Sequence, residues 1–279
     1  MPRSTTRDCA RRRAPYFLNM LGKLLGGSEF GQWASFVSPA FFDVMPTKAL
    51  WQRFKALASG TRDPELLARA IAERQVWLSR SQVPVWLAPS GARRPSPGAA
   101  GQNEAHERAS AVAALYFHQL LHGELTLLDL RPSAFANEAG GLVWRPAAWI
   151  VRWDESFIAA LRQIYSGFYA GDSNEFRAGL AALNLLHAED EFRRHFGDGR
   201  GVVRFEVKHF VSTFHRVFVL CREAKTRLHP DFLPLGLYLA SLYDHLERLG
   251  AEVDVAAAFD LARIALPAPR APRAAQARA

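Results

Sequence analysis

The chain has 279 residues, 49% hydrophobic and 22% charged, which supplies a sizeable core and excludes a disordered protein. Its formal charge of +8 would ordinarily suggest nucleic acid or an anionic membrane as partner, yet the excess sits at the ends. Residues 1–13 carry five Arg and one Asp, residues 263–279 carry four Arg and no acid, and residues 14–262 balance. This is a neutral body with basic tails, so a specific nucleic-acid-binding surface is not expected.

The opening "MPRSTTRDCARRRAPYFLNMLGKLLGG" joins Arg residues to a short apolar patch, as in a targeting or interfacial segment, but it lacks a long apolar core and a small-residue cleavage site. Residues 14–92 read as an N-terminal helical segment broken by "GGSEFG", Pro39 and Pro46. Within it "DPELLARAIAERQVWL" predicts a helix with Asp63 as N-cap and Pro64 at the first helical position. "VWLSRSQVPVWLAP" alternates around Val83 and Trp86 and predicts a small hairpin or extended pair. Gly, Pro and Ser make residues 93–104 the clearest linker.

From Glu104 onward helices dominate. "NEAHERASAVAALYFHQLLHG" should end at Gly123, and "DESFIAALRQIYSGFYAG" precedes "DSNEFRAGLAALNLL", where Asp172 and Glu175 have capping-box spacing. "EVKHFVSTFHRVFVLCREAKTRL" places Val207, Phe210, Val211, Phe214, Val217, Phe218 and Cys221 on one stripe, and a last long helix ends at Gly250. The fold class is therefore mainly α, a helical body over residues 105–262 with a short β element around 126–154. The tail "LPAPRAPRAAQARA" cannot build a core. Cys9 and Cys221 form no framework, which suggests a reducing, cytoplasmic setting, and no apolar run reaches the length of a membrane span.

The histidines are the first candidates for chemistry. His118 and His122 are four apart on one predicted helix, a spacing that suits metal ligation, but the helical wheel sets them at its polar edge. His187, Glu191 and His195 repeat the pattern among Asp190, Arg193 and Arg194, as on a charged surface helix. A bundle di-metal site would need two Glu-x-x-His motifs, and only Glu206 to His209 is present. These residues support a helical-bundle metal or haem enzyme as the alternative reading; the leading reading needs no cofactor. "GDGRG" at 197–201 precedes an extended "VVRF" rather than a helix, which makes it a flexible loop. Trp144, Trp149 and Trp153 could line a pocket for a small apolar ligand, though packing explains them more simply.

The segment "LDLRPSAFANEAGGLVWRPAAWIVRWDESF" carries a more specific pattern. Phosphoryl transfer by kinases needs an Asp beside the substrate hydroxyl, an Asn five residues on, and a further Asp beyond a strand to hold magnesium. Read without gaps, the segment resembles the AarF/UbiB family of atypical kinases. Asp129 falls on the catalytic-loop Asp, Gly140 and Gly141 on a turn, Leu142 to Trp144 on the strand, and Asp154 on the entry to the next helix. Ala134 stands where the Asn belongs, and Pro146, Ala147 and Ala148 replace D-F-G. Nearer the N-terminus Gly31 and Gln32 match the family's K-x-G-Q segment, while Glu29 replaces its Lys. The resemblance covers residues 28–60 and 112–250, chiefly as a helical frame, and no strand lysine or Ala-rich nucleotide loop is evident. It implies a catalytically impaired kinase-like binding or scaffolding protein with a C-lobe-like body, linked to lipid or quinone metabolism at membranes. Its partners would be a protein or an anionic surface met by the Arg-rich ends, and Asp129 is the single residue assigned to the catalytic position.

Overall fold

The computed structural model describes residues 39–88, 102–138, 141–197 and 201–264. The Arg-rich residues 1–13, the Glu29 to Gln32 segment, the linker as far as residue 101 and the tail beyond residue 264 lie outside the described residues. The described chain is mainly α, with ten α-helices and seven short strands.

Among the described residues three helices come first, α1 (Pro39–Val44), α2 (Thr47–Gly60) and α3 (Pro64–Leu78). The third begins where the sequence predicts it: the Asp63 carboxylate accepts from Leu66 N at 2.9 Å, and Pro64 needs no partner for the amide it lacks. The expected hairpin does not form. Its first half, Val76 to Leu78, belongs to α3, and its second half is strand β1 (Val85–Leu87), whose partner is far along the chain. Alternation marks an extended segment but not what it pairs with.

Helix α4 (Gln102–Leu121) is the central element. Every residue from Ala111 to Leu120 is buried, so over this stretch the helix has no polar face. Strands β2 (Leu125–Leu127), β3 (Phe135–Glu138), β4 (Gly141–Trp144) and β5 (Ile150–Arg152) follow within 28 residues. β3 and β4 form an antiparallel hairpin with Phe135 opposite Trp144, and β1 joins β4 in parallel with Val85 opposite Leu142. β2 and β5 pair separately, with Leu127 opposite Ile150. The predicted loop with Asp129 and the predicted strands around 126–154 are therefore present, while residues 139 and 140 of the expected Gly turn lie outside the described residues.

Helices α5 (Glu155–Ala170) and α6 (Ser173–Ala182) are capped by Asp154 and Asp172, each accepting two backbone amides of the first turn. They cross closely because two glycines permit it. A Cβ at Gly179 would lie 2.7 Å from Ala160 O, and one at Gly167 would strike the Phe176 backbone. Helix α7 (Glu189–His195) leads through strand β6 (Val202–Arg204) to α8 (Val207–Glu223), whose Phe210, Phe214, Val217, Phe218 and Cys221 are buried as the stripe predicts. Helix α9 (Phe232–Leu249), strand β7 (Glu252–Asp254) and α10 (Val255–Arg263) complete the body, with β7 paired to β6.

One apolar core runs from Phe41 and Phe54 through α4 to Phe259. It joins the N-terminal helices to the body across the linker, and strand β1 does the same through its ladder with β4. No helix among the described residues is long and apolar enough to cross a membrane.

Candidate functional site

The loop after β2 is fixed from four sides. Asp129 is fully buried. Its Oδ1 accepts from Arg131 Nε at 2.7 Å, and its Oδ2 accepts from Arg131 Nη2 at 3.1 Å and from the Ala147 amide at 2.8 Å. Its backbone oxygen accepts the indole N–H of Trp144 at 2.7 Å. The next amide, Leu130 N, donates to Ser241 Oγ at 2.8 Å, and Leu130 O is bonded to His245 Nδ1 at 2.8 Å. Since a carbonyl can only accept, His245 carries its proton on Nδ1, which leaves Nε2 to accept from Arg108 Nε at 3.2 Å. Arg108 also donates to Pro132 O at 3.2 Å. Helices α4 and α9, strand β4 and the segment after it all hold the same few residues.

A catalytic base must present an oxygen to a substrate hydroxyl. Here both oxygens of Asp129 are turned onto the chain's own donors, and Arg131 lies over the Trp149 ring at 4.1 Å. The carboxylate works as a pin between the loop and the segment after β4. Ala134 is fully buried, and its oxygen accepts from Arg145 N at 2.7 Å, so the positions assigned to the Asn and to D-F-G lie side by side and carry no metal-binding side chain. The three Trp residues are buried in the core: Trp144 packs on Phe135, Trp153 on Phe157, and the Trp153 indole donates to Thr126 Oγ1 at 2.8 Å. They close the interior rather than line an opening.

The histidine expectations need correction. His118 does not sit at a polar edge; it is buried, because α4 is surrounded along that stretch. Its Nδ1 accepts from the buried Arg74 at 3.2 Å, while His122 Nε2 is bonded to Ala262 O at 3.0 Å. The pair therefore packs against α3 and α10. Of His187, Glu191 and His195, the first is exposed on a 3-10 turn as a charged surface would have it, but the other two turn inward from α7. Glu191 is buried and bonded to Arg194 at 2.6 Å and Arg216 at 2.8 Å, and His195 lies among aromatic rings. His209 is exposed. Among the described residues no three His, Cys, Asp or Glu side chains converge as a metal site would require.

Burial holds three imidazoles neutral. It pushes His118, His195 and His245 each down to about 3, aided by the charge of Arg74 at His118, by His209 at His195 and by Arg108 at His245. The unfolded chain titrates these groups near ~6.5, so between that value and 3 it binds more protons than the folded chain. Stability contributed by these groups is complete above ~6.5 and is lost as the pH falls, at about 1.4 kcal/mol per pH unit for each histidine. Urea midpoints measured from pH 7.5 to pH 5 should fall progressively below ~6.5. A flat profile would show that these rings take up protons in the fold as readily as in the unfolded chain.

A second feature was not legible in the sequence. Tyr116, Tyr165, Tyr169, His195, Phe205 and Tyr243, drawn from four helices and a connecting segment, line a cavity of about 40 Å³. The hydroxyls of Tyr116 and Tyr165 meet at 2.6 Å, and His195 Nδ1 is buried with no partner among the described residues. The space suits one or two waters. No protein-family model matches the chain, and no curated protein matches it.

Proposed function

We propose that the protein is a catalytically impaired kinase-like module, related to the AarF/UbiB family, that acts by binding or scaffolding rather than by phosphoryl transfer. The observation that carries this reading is the state of Asp129, whose position matches the family's catalytic Asp while its carboxylate is buried on Arg131 and the Ala147 amide. The loss of both metal-holding side chains at Ala134 and Pro146 points the same way. In the resembled family the work concerns lipid and quinone metabolism at membranes. For this chain a protein partner or an anionic membrane surface, met by the Arg-rich ends, is the corresponding proposal.

Isothermal titration with ATP should show no magnesium-dependent binding, since nothing at Ala134 or Pro146 can hold the ion that neutralises the phosphates. Micromolar affinity that disappears on chelation of magnesium would overturn the reading.

A further inference from the structure

The tyrosine-lined cavity keeps polar groups that nothing in the fold uses. Tyr116, Tyr165, Tyr169, Tyr243 and His195 all stand in its wall, and Phe196 touches three of them, with ring centroids 5.3 Å from Tyr165, 6.3 Å from Tyr169 and 5.6 Å from His195. The Tyr116 and Tyr165 hydroxyls share a single hydrogen bond, so one of their two protons is left without an acceptor. The Tyr169 hydroxyl makes no hydrogen bond among the described residues, and that of Tyr243 reaches His195 Nε2 at 3.5 Å, the limit of such a bond. His195 Nδ1 is buried with no partner among the described residues. Because the Tyr243 hydroxyl can either donate to Nε2 or accept from it, Nδ1 can present a lone pair or a proton.

These groups are uncharged. Burial raises the four phenols, with Tyr165 adding to the rise at Tyr116, Tyr169 and Tyr243, and burial keeps the imidazole neutral. No charged side chain joins the wall among the described residues, so an ion entering it would lose its hydration and meet no counter-charge. Space restricts the occupant further. On this scale one water needs roughly 10–15 Å³ and a drug-sized molecule ~300–1,000 Å³, so a cavity of about 40 Å³ takes about two or three non-hydrogen atoms. Carbon suits the ring faces, and one oxygen suits the spare groups, since a hydroxyl accepts from a phenol and donates to an imidazole nitrogen. Tyr169, His195, Phe196 and Val203 are half-buried, which makes theirs the side of the cavity nearest the surface.

We infer that this cavity is a binding site for a neutral alcohol, held by the spare phenolic and imidazole groups with its carbon against the rings. The alcohol is either a free short one or the hydroxyl end of a longer chain that leaves past the half-buried side. The site requires nothing of kinase-like ancestry.

The full chain, labelled with carbon-13 in its tyrosine rings, is titrated with ethanol in one arm and hexanol in the other. Saturable shifts of the cavity tyrosines are expected. Binding of ethanol alone identifies a free short alcohol, and binding of hexanol, with or without ethanol, identifies the end of a longer chain. Tyr169→Phe keeps the ring and should weaken binding roughly two- to ten-fold, the loss of one hydrogen bond. Ala113→Val adds volume to the wall and should abolish binding; should that variant fail to fold, Tyr243→Phe supplies the second measurement, with a loss like that of Tyr169→Phe. No saturable shift with either alcohol would leave the cavity to water and overturn the inference. Equal affinity in the wild type and both Phe variants would show that these hydroxyls hold no ligand, and would overturn it too.

Discussion

Replacing Arg74 with Ala should destabilise the fold by about 3–5 kcal/mol, measured as a shift in the urea midpoint at constant slope. Arg74 is completely buried on α3 and has no carboxylate of its own; its two Nη atoms donate to backbone oxygens, while Nε has no partner among the described residues. Nη2 reaches His122 O at 3.1 Å and Leu125 O at 3.0 Å, and Nη1 reaches His118 O at 3.4 Å together with the His118 ring. These are carbonyls in the last turn of α4, just after it, and at the start of β2. A cation at a helix C-terminus opposes the dipole, and one buried there also satisfies acceptors that water cannot reach.

The neighbouring Glu73 completes the cap, since its Oε1 accepts from Glu124 N at 2.6 Å and Leu125 N at 3.3 Å. Gly123 fits between them with φ of +86°, where any side chain would meet the Glu73 carboxylate. Burial draws the Arg74 guanidinium down to about 10, still charged at neutral pH. Arg74→Met separates the contributions. It retains most of the volume, so a loss close to that of Ala would assign the effect to the hydrogen bonds, whereas near-native stability would show that packing alone holds the turn.

The second large effect is expected at Asp129, and it should appear in folding rather than in turnover. Asp129→Ala removes the carboxylate from Arg131 and from the Ala147 amide in a fully buried setting, which should cost about 3–5 kcal/mol. The loop would lose its tie to the segment after β4, so near-ultraviolet circular dichroism, reporting on Trp144 and Trp149, should change as well. Combining Asp129→Leu with Arg131→Met should recover a substantial part of the loss, because an apolar pair of similar volume removes the desolvated charge along with its partner. A catalytic carboxylate behaves differently: its removal abolishes turnover and leaves stability unchanged or improved. That pattern would return Asp129 to the role its sequence position suggests.

Local chemistry carried the helices. Asp63, Asp154 and Asp172 each accept amides of the turn that follows, Gly123, Gly171 and Gly250 each adopt positive φ at a helix end, and the α8 stripe faces inward. Such features depend on residues a few positions apart, so they can be read along the chain. The strand at Leu142 to Trp144 was legible for the same reason, as was the place of Asp129 in a loop.

What the sequence could not convey was which distant groups would meet. The helical wheel put His118 at an edge because it knows only the helix's own periodicity; α3, α9 and α10 converge on α4 and bury the polar side too. Strand β1 was visible but not its parallel partner 57 residues on, since a ladder's pairing is set by the elements that bring it together. Asp129 is the clearest case. Its spacing to Ala134 and Pro146 suggested a damaged catalytic set, but its work as a pin follows from Arg131 folding back onto it and Ala147 N reaching it across 18 residues. Residue types name the chemistry available to a side chain. Which part of that chemistry is used depends on the partners and the burial that tertiary packing imposes, because a buried charge must be satisfied by whatever the fold places beside it.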